Sequence, residues 1–94
     1  MAGVYILYSE KLDKYYIGSC VDISVRFAEH LSRKYVDSYT AKAHDWVLYY
    51  SLSNLKYEQA RLIENHIKKM KSRRYIENLK KYPDISKKLI ELYS

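Results

Sequence analysis

The N-terminal twenty residues alternate strand-forming and turn-forming chemistry, and this constrains the fold more than any other feature of the chain. Residues 3–9, Gly-Val-Tyr-Ile-Leu-Tyr-Ser, and residues 15–20, Tyr-Tyr-Ile-Gly-Ser-Cys, are rich in β-branched and aromatic side chains. Such side chains suit a pleated, half-buried surface. The segment between them, Glu10-Lys11-Leu12-Asp13-Lys14, is short and mostly polar, as a hairpin connection should be. Two antiparallel neighbouring strands are therefore expected at the start of the chain.

After this hairpin the apolar period changes from two to about four. Ile23, Phe27 and Leu31 recur every four residues, and Asp22 stands where an N-cap belongs, so a helix is expected over 23–34. Residues 35–45 are polar and read as a loop. Trp46-Val47-Leu48-Tyr49-Tyr50 reads as a third strand. Asn54 is placed to cap a helix over 55–71 whose face carries Ala60, Ile63, Ile67 and Met70. Ser72 can start another helix, ending near Lys81. Pro83 suits a helical first turn, and Ile85, Leu89 and Leu92 give a last amphipathic segment. The expected order is β-β-α-β-α-α-α, a three-stranded, mainly antiparallel sheet flanked by helices, of the α+β class.

Ninety-four residues supply one hydrophobic core, so the expectation is a single domain over 1–94. Its functional part would span about 3–79, with a helical extension over about 83–93. The apolar runs fall far short of the ~20 residues that a membrane-spanning helix needs. The N-terminus lacks the basic start of a secretory signal, and Cys20 is the single cysteine, so neither an internal disulfide nor a cysteine-rich zinc module can form. A cytoplasmic protein is the expectation.

Charge is unevenly placed. Residues 1–55 carry six basic and six acidic side chains, whereas residues 56–94 carry eleven basic and five acidic. The whole net charge of +6 therefore lies in the C-terminal part. Its densest run, Lys68-Lys69-Met70-Lys71-Ser72-Arg73-Arg74, holds five cations and no acid. A run of this kind attracts a polyanion, nucleic acid foremost, or serves as a solvated helix face.

Most familiar catalytic arrangements are missing. The two glycines, Gly3 and Gly18, exclude a glycine-rich phosphate loop, and nothing has the spacing of a zinc hydrolase or a thiol-disulfide motif. What does converge is smaller. Arg26 and His30 are four apart on the first helix, at the border of its apolar stripe. Glu64 follows Ala60 by four and precedes Ile67 by three, which sets an acid beside the apolar stripe and close to the sheet. It serves there either as a functional carboxylate or as one half of an ion pair with Arg26 or a lysine. Tyr5 and Tyr16 lie on facing strands, each two residues from a glycine. A glycine inside a strand often marks close approach of a ligand or another backbone.

Gly3-Val4-Tyr5, Tyr16-Ile17-Gly18 after ten intervening residues, then Arg26, His30 and Glu64, resemble the GIY-YIG nuclease superfamily in order, spacing and residue type. The segment 58–72, with Ala60 four before the acid and Ile67-Lys68-Lys69 after it, looks like the small stand-alone branch. Tyr39-Thr40 and Trp46–Tyr50 look like that branch as well. The first motif carries Val4 in place of isoleucine, as excision-repair members of the superfamily also do, and Met70 stands where an aromatic is common. The resemblance implies a divalent-metal-dependent endonuclease acting on DNA in repair, recombination or processing. It implies Glu64 as the ligand of one Mg²⁺ or Mn²⁺ ion. Tyr5 and Tyr16 would orient or deprotonate the attacking water, Arg26 would bind the scissile phosphate, and His30 would relay a proton or bind phosphate. Thr40 and Asn78 join this set as outlying members, Asn78 standing for the asparagine that many members carry on a later helix.

One carboxylate agrees with one ion, because magnesium keeps several of its waters. Lys68, Lys69, Lys71, Arg73 and Arg74 would hold the nucleic-acid backbone. No separate reading domain is expected, so cleavage would be structure-selective, weakly sequence-specific or guided by a protein partner. DNA and RNA, the strand form and the oligomeric state are open at this stage. Two other readings are a non-catalytic clamp that uses the basic 68–74 face and a protein-interaction module that uses its tyrosines. A clamp, however, has no need of a half-buried acid beside its phosphate site.

Overall fold

The computed structural model describes residues 2–22, 25 and 45–94. Among them the order is β1 (Ala2–Ser9), β2 (Lys14–Cys20), β3 (Val47–Leu55), α1 (Tyr57–Met70), α2 (Arg73–Lys81) and α3 (Pro83–Leu92). The helix expected over 23–34 lies outside the described residues. Its expected cap is present: Asp22 Oδ1 accepts a hydrogen bond from the Val25 N–H at 3.3 Å. No helix among the described residues is long and apolar enough to cross a membrane.

The sheet has the order β2-β1-β3, antiparallel throughout. The expected hairpin is there, with Ser9 paired to Lys14 across a four-residue turn. Asp13 closes the turn in the left-handed region, at φ 51°, where an aspartate is tolerated. The turn is held from two sides. The buried Ser9 hydroxyl donates to Asp45 Oδ1 at 2.6 Å, and the Lys11 N–H donates to Asp45 Oδ2 at 2.9 Å. Asp13 is gripped by both arms of the Arg73 guanidinium, at 3.0 and 2.6 Å.

Side chains of a strand alternate between faces, and β1 buries both. Val4 and Ile6 face the helices and pack with Ala60, Ile63, Ile67 and Leu79. Tyr5 and Leu7 point to the other face, with Cys20, Tyr16, Trp46 and Leu48. Burying side chains like Ile6 and Ile63 contributes about 1.5–3 kcal/mol each.

Four expectations are corrected. The third strand runs to Leu55, well past Tyr50, and Asn54 is not a helix cap. Asn54 sits at φ 64° where the β1–β3 register shifts between Ala2 and Val4, so its tolerance of left-handed backbone serves a β-bulge. Lys56 takes the cap position of α1, and the Gln59 side chain reaches back to its N–H at 3.4 Å. Met70 is 45% exposed, because it is the last helical residue before the chain reverses at Lys71. Leu92 is 63% exposed, and Ile90 and Tyr93 pack on the core instead. Ser72 does cap α2, accepting from the Tyr75 N–H at 3.1 Å, and Pro83 does open α3.

Candidate active site

Tyr5 and Gly18 are direct cross-strand partners. A Cβ built on Gly18 would lie 2.6 Å from both Cζ and the hydroxyl oxygen of Tyr5. The tyrosine ring therefore lies flat across the space that any other residue would fill. Gly18 does not have a positive φ, so its role here is room for the ring and not backbone freedom. Tyr5 is 3% exposed. Tyr16 stands beside it with ring centroids 6.3 Å apart, and Trp46 meets Tyr16 edge-on at 6.5 Å. The two tyrosines of the sequence pattern thus share one face of the sheet.

Glu64 comes to the same strand from the opposite face. Ile17 and Tyr15 of β2 point toward the helices, and Ser19 shares their alternation. The Ser19 hydroxyl donates a short hydrogen bond to Glu64 Oε1. Glu64 Oε2 accepts from Lys68 Nζ, one helical turn on, at 2.5 Å. The Glu64 side chain is 15% exposed and that of Lys68 is 50% exposed. Of the two sequence readings for Glu64, an ion pair is present, formed with a lysine of its own helix. Tyr5 and Glu64 therefore meet β2 at consecutive residues, 18 and 19, on its two faces.

Ser19 was not singled out from the sequence. A small polar residue beside a motif carries no chemical signal of its own. Its signal is alternation: one step from Gly18, it must face the side from which α1 presents its acid.

The basic run divides into two groups. Lys68, Lys71 and Arg73, with Lys14 and Tyr15, line a groove of about 330 Å³ between β2 and the α1–α2 junction. Lys69 and Arg74 are exposed and lie outside that lining. Arg73 is committed to Asp13 and also stands 5.4 Å over the Tyr15 ring. This grip holds the Asp13 carboxyl at about 2, with the Arg73 hydrogen bond the larger cause and the Tyr8 hydroxyl the next. Burial and hydrogen bonding act on Asp45 in opposite directions, and the bonds from Ser9 and the Lys11 N–H win, so its pKa is lowered. Asn78 lies half-buried on α2, where its backbone carbonyl accepts from the Tyr82 N–H at 2.7 Å. Arg26, His30 and Thr40 lie outside the described residues.

No group of three or more His, Cys, Asp or Glu side chains comes together among the described residues. Among the described residues, a site for a divalent ion would rest on the Glu64 carboxylate. The donor set fits such an ion: one oxygen is steadied by Ser19, and the other already attracts a cation, Lys68. A hard ion bound by one carboxylate keeps its waters and leaves places for phosphate oxygens.

A family model described as the GIY-YIG catalytic domain matches residues 1–81. No curated protein and no solved structure matches the chain. The matched span contains the Tyr5–Gly18 contact, Tyr16, Glu64 and the whole basic run, and it leaves out α3. With most of its length matched, and with the strand pair and the helical acid arranged about β2, the chain belongs to the GIY-YIG nuclease family.

Proposed function

We propose that the protein is a divalent-metal-dependent endonuclease that hydrolyses phosphodiester bonds in DNA. It acts on structure or with weak sequence preference, in repair, recombination or processing within the cytoplasm. The observation that carries this reading is that Tyr5 packs on Gly18 and Glu64 is bonded to the next residue, Ser19, from the other face of the same edge strand. Evenly spread packing tyrosines would need neither a glycine emptied for a ring nor an acid held on the next residue.

Glu64 would hold one Mg²⁺ or Mn²⁺, which when bound supplies positive charge to the phosphoryl oxygens and the leaving oxygen. Ser19 fixes the carboxylate and leaves one of its oxygens for that task. Tyr5 and Tyr16 orient or deprotonate the attacking water. A phenol with a pKa near about 10 needs a cation beside it to do the latter, and Arg26 supplies one. Arg26 also binds the scissile phosphate, since a guanidinium matches phosphate oxygens. His30 passes on a proton or adds a phosphate contact. Lys68, Lys69, Lys71, Arg73 and Arg74 hold the nucleic-acid backbone beyond the metal, and Thr40 and Asn78 are outlying members of the set. Such contacts give affinity and salt dependence without reading sequence, so specificity falls to substrate shape or to a protein partner.

The test is a cleavage assay on end-labelled single-stranded, duplex, flap and junction DNA, with RNA counterparts, in Mg²⁺, Mn²⁺ or chelator. Glu64→Ala and Arg26→Ala are each expected to reduce cleavage by about a hundredfold or more while the circular dichroism spectrum is kept. Unchanged cleavage by Glu64→Ala overturns the assignment. A second reading is favoured by one observation, that both Glu64 oxygens already have partners. It is a non-catalytic clamp using the 68–74 face, and it predicts retention of DNA by both proteins with no product in any metal.

A further inference from the structure

Glu64 and Lys68 are not equal partners. The carboxylate is 15% exposed and anchored by the Ser19 hydroxyl, whereas the lysine side chain is 50% exposed on a flexible four-carbon stem. One is fixed and the other is free to leave. We propose that Lys68 is a built-in counter-ion that occupies the cation position on Glu64 and competes with the divalent ion for it. This rests on the reading of Glu64 as a metal ligand.

Three observations support it. First, a half-buried carboxylate is favoured by a neutralising partner, and Lys68 Nζ lies 2.5 Å from Oε2 in the position a cation would take. Second, an ammonium and a divalent ion cannot share that oxygen, because two cations a few ångströms apart repel strongly at the reduced dielectric of a partly enclosed site. Binding of the ion must therefore expel Lys68. Third, the expelled side chain has somewhere to go. Glu64 and Lys68 are one turn apart on α1, and Lys68 and Lys71, just past the helix end, both line the basic groove beside β2. The lysine withdraws along an open surface without unpacking the core.

The competition has a sign that an ordinary surface lysine lacks. Removing Lys68 should tighten metal binding, although most losses at a functional site weaken it. The experiment titrates Mn²⁺ into the metal-free protein and follows free Mn²⁺ by electron paramagnetic resonance. Wild type is compared with Lys68→Met, Lys69→Met and Glu64→Gln, each checked for folding by circular dichroism. Lys68→Met is expected to bind Mn²⁺ about three- to tenfold more tightly, the sum of a lost ion pair and a lost repulsion. Lys69→Met removes the same charge one residue away, and its affinity should change by less than about twofold, since exposed charges are screened. An affinity in Lys68→Met equal to or weaker than wild type overturns the competition while leaving Glu64 as the ligand. Equal tightening in both lysine variants also overturns it, since general charge then suffices. Undiminished binding by Glu64→Gln removes Glu64 as the ligand, and the competition falls with that reading.

Discussion

At the residue scale the tightest constraint is the empty Cβ position of Gly18. A methyl group there meets the far end of Tyr5 at 2.6 Å, and the ring is too closed in to turn aside freely. Gly18→Ala should therefore cost about 1–3 kcal/mol, the usual range for overpacking a filled site. The same substitution in a Tyr5→Ala background should cost about 0.5 kcal/mol or less, because its clash partner is gone. Urea denaturation of the four proteins measures the coupling, and equal costs in both backgrounds would show that the contact is not the cause. Tyr5, Gly18 and Glu64 were all legible in the sequence, since strand register and helical spacing place them. Ser19 was not, because its role depends on which face β2 turns toward α1. The ion-pair partner of Glu64 was open in the sequence between Arg26 and a lysine, and the i+4 spacing on α1 selects Lys68.

At the scale of elements, the helices were legible where capping chemistry has one meaning and not where it has two. Ser72 and Pro83 each do what serine and proline do at helix starts. Asn54 was ambiguous, because asparagine both caps helices and accepts left-handed backbone, and here a bulge in β3 takes the second property. Lys71 raises the converse case. It holds φ 47° and ψ 41° at the end of α1, where glycine is usual. Lys71→Gly should raise stability by up to about 1 kcal/mol, since it relieves a side chain of that conformation. It should also weaken nucleic-acid binding and lower its salt slope by about one unit, because one phosphate contact is lost. Thermal melts and binding at several salt concentrations read the two effects separately. A salt slope equal to wild type would mean that Lys71 does not touch the backbone. Placing lysine at a glycine position is then a local compromise between the helix end and the groove.

For the whole molecule, two acids decide how the β1–β2 turn is held. Asp13 binds it to α2 through Arg73, and Asp45 binds it to the start of β3 through Ser9 and Lys11. Both carboxyls have a folded pKa below the ordinary 3.8, Asp13 at about 2. A group whose pKa is lowered by folding adds stability that is complete above its unfolded value and is lost as pH falls toward its folded value. The melting temperature should thus drop between about pH 4 and pH 2 as these ties are protonated. Asp13→Asn should make that drop shallower, and melts across this range test it; an unaltered drop would leave the turn insensitive to the Arg73 grip. The third helix is fixed more conventionally. Leu89 is buried in the main core, Gln59 Nε2 donates to the Ile90 carbonyl at 3.2 Å, and His66 Nδ1 shares a hydrogen bond with the Tyr93 hydroxyl at 2.8 Å. It lies beyond the family match yet packs on the same core as the matched residues.

The turn that these acids hold also works as a reading frame. Ser9 pairs with Lys14, and every later pairing in β2 is counted from there. Gly18 and Ser19 are neighbours that look in opposite directions, one toward a tyrosine and the other toward an acid. Adding or deleting a single residue between 10 and 13 would offset that count by one and exchange their outlooks. A deletion would set Ser19 against Tyr5 and Cys20 at the position that faces Glu64, whereas an insertion would set Ile17 against Tyr5 and Gly18 before Glu64; in neither case does a hydroxyl meet the acid. Such a frameshift in space could leave the hairpin paired and the composition of the site untouched, and still separate the two halves of its chemistry.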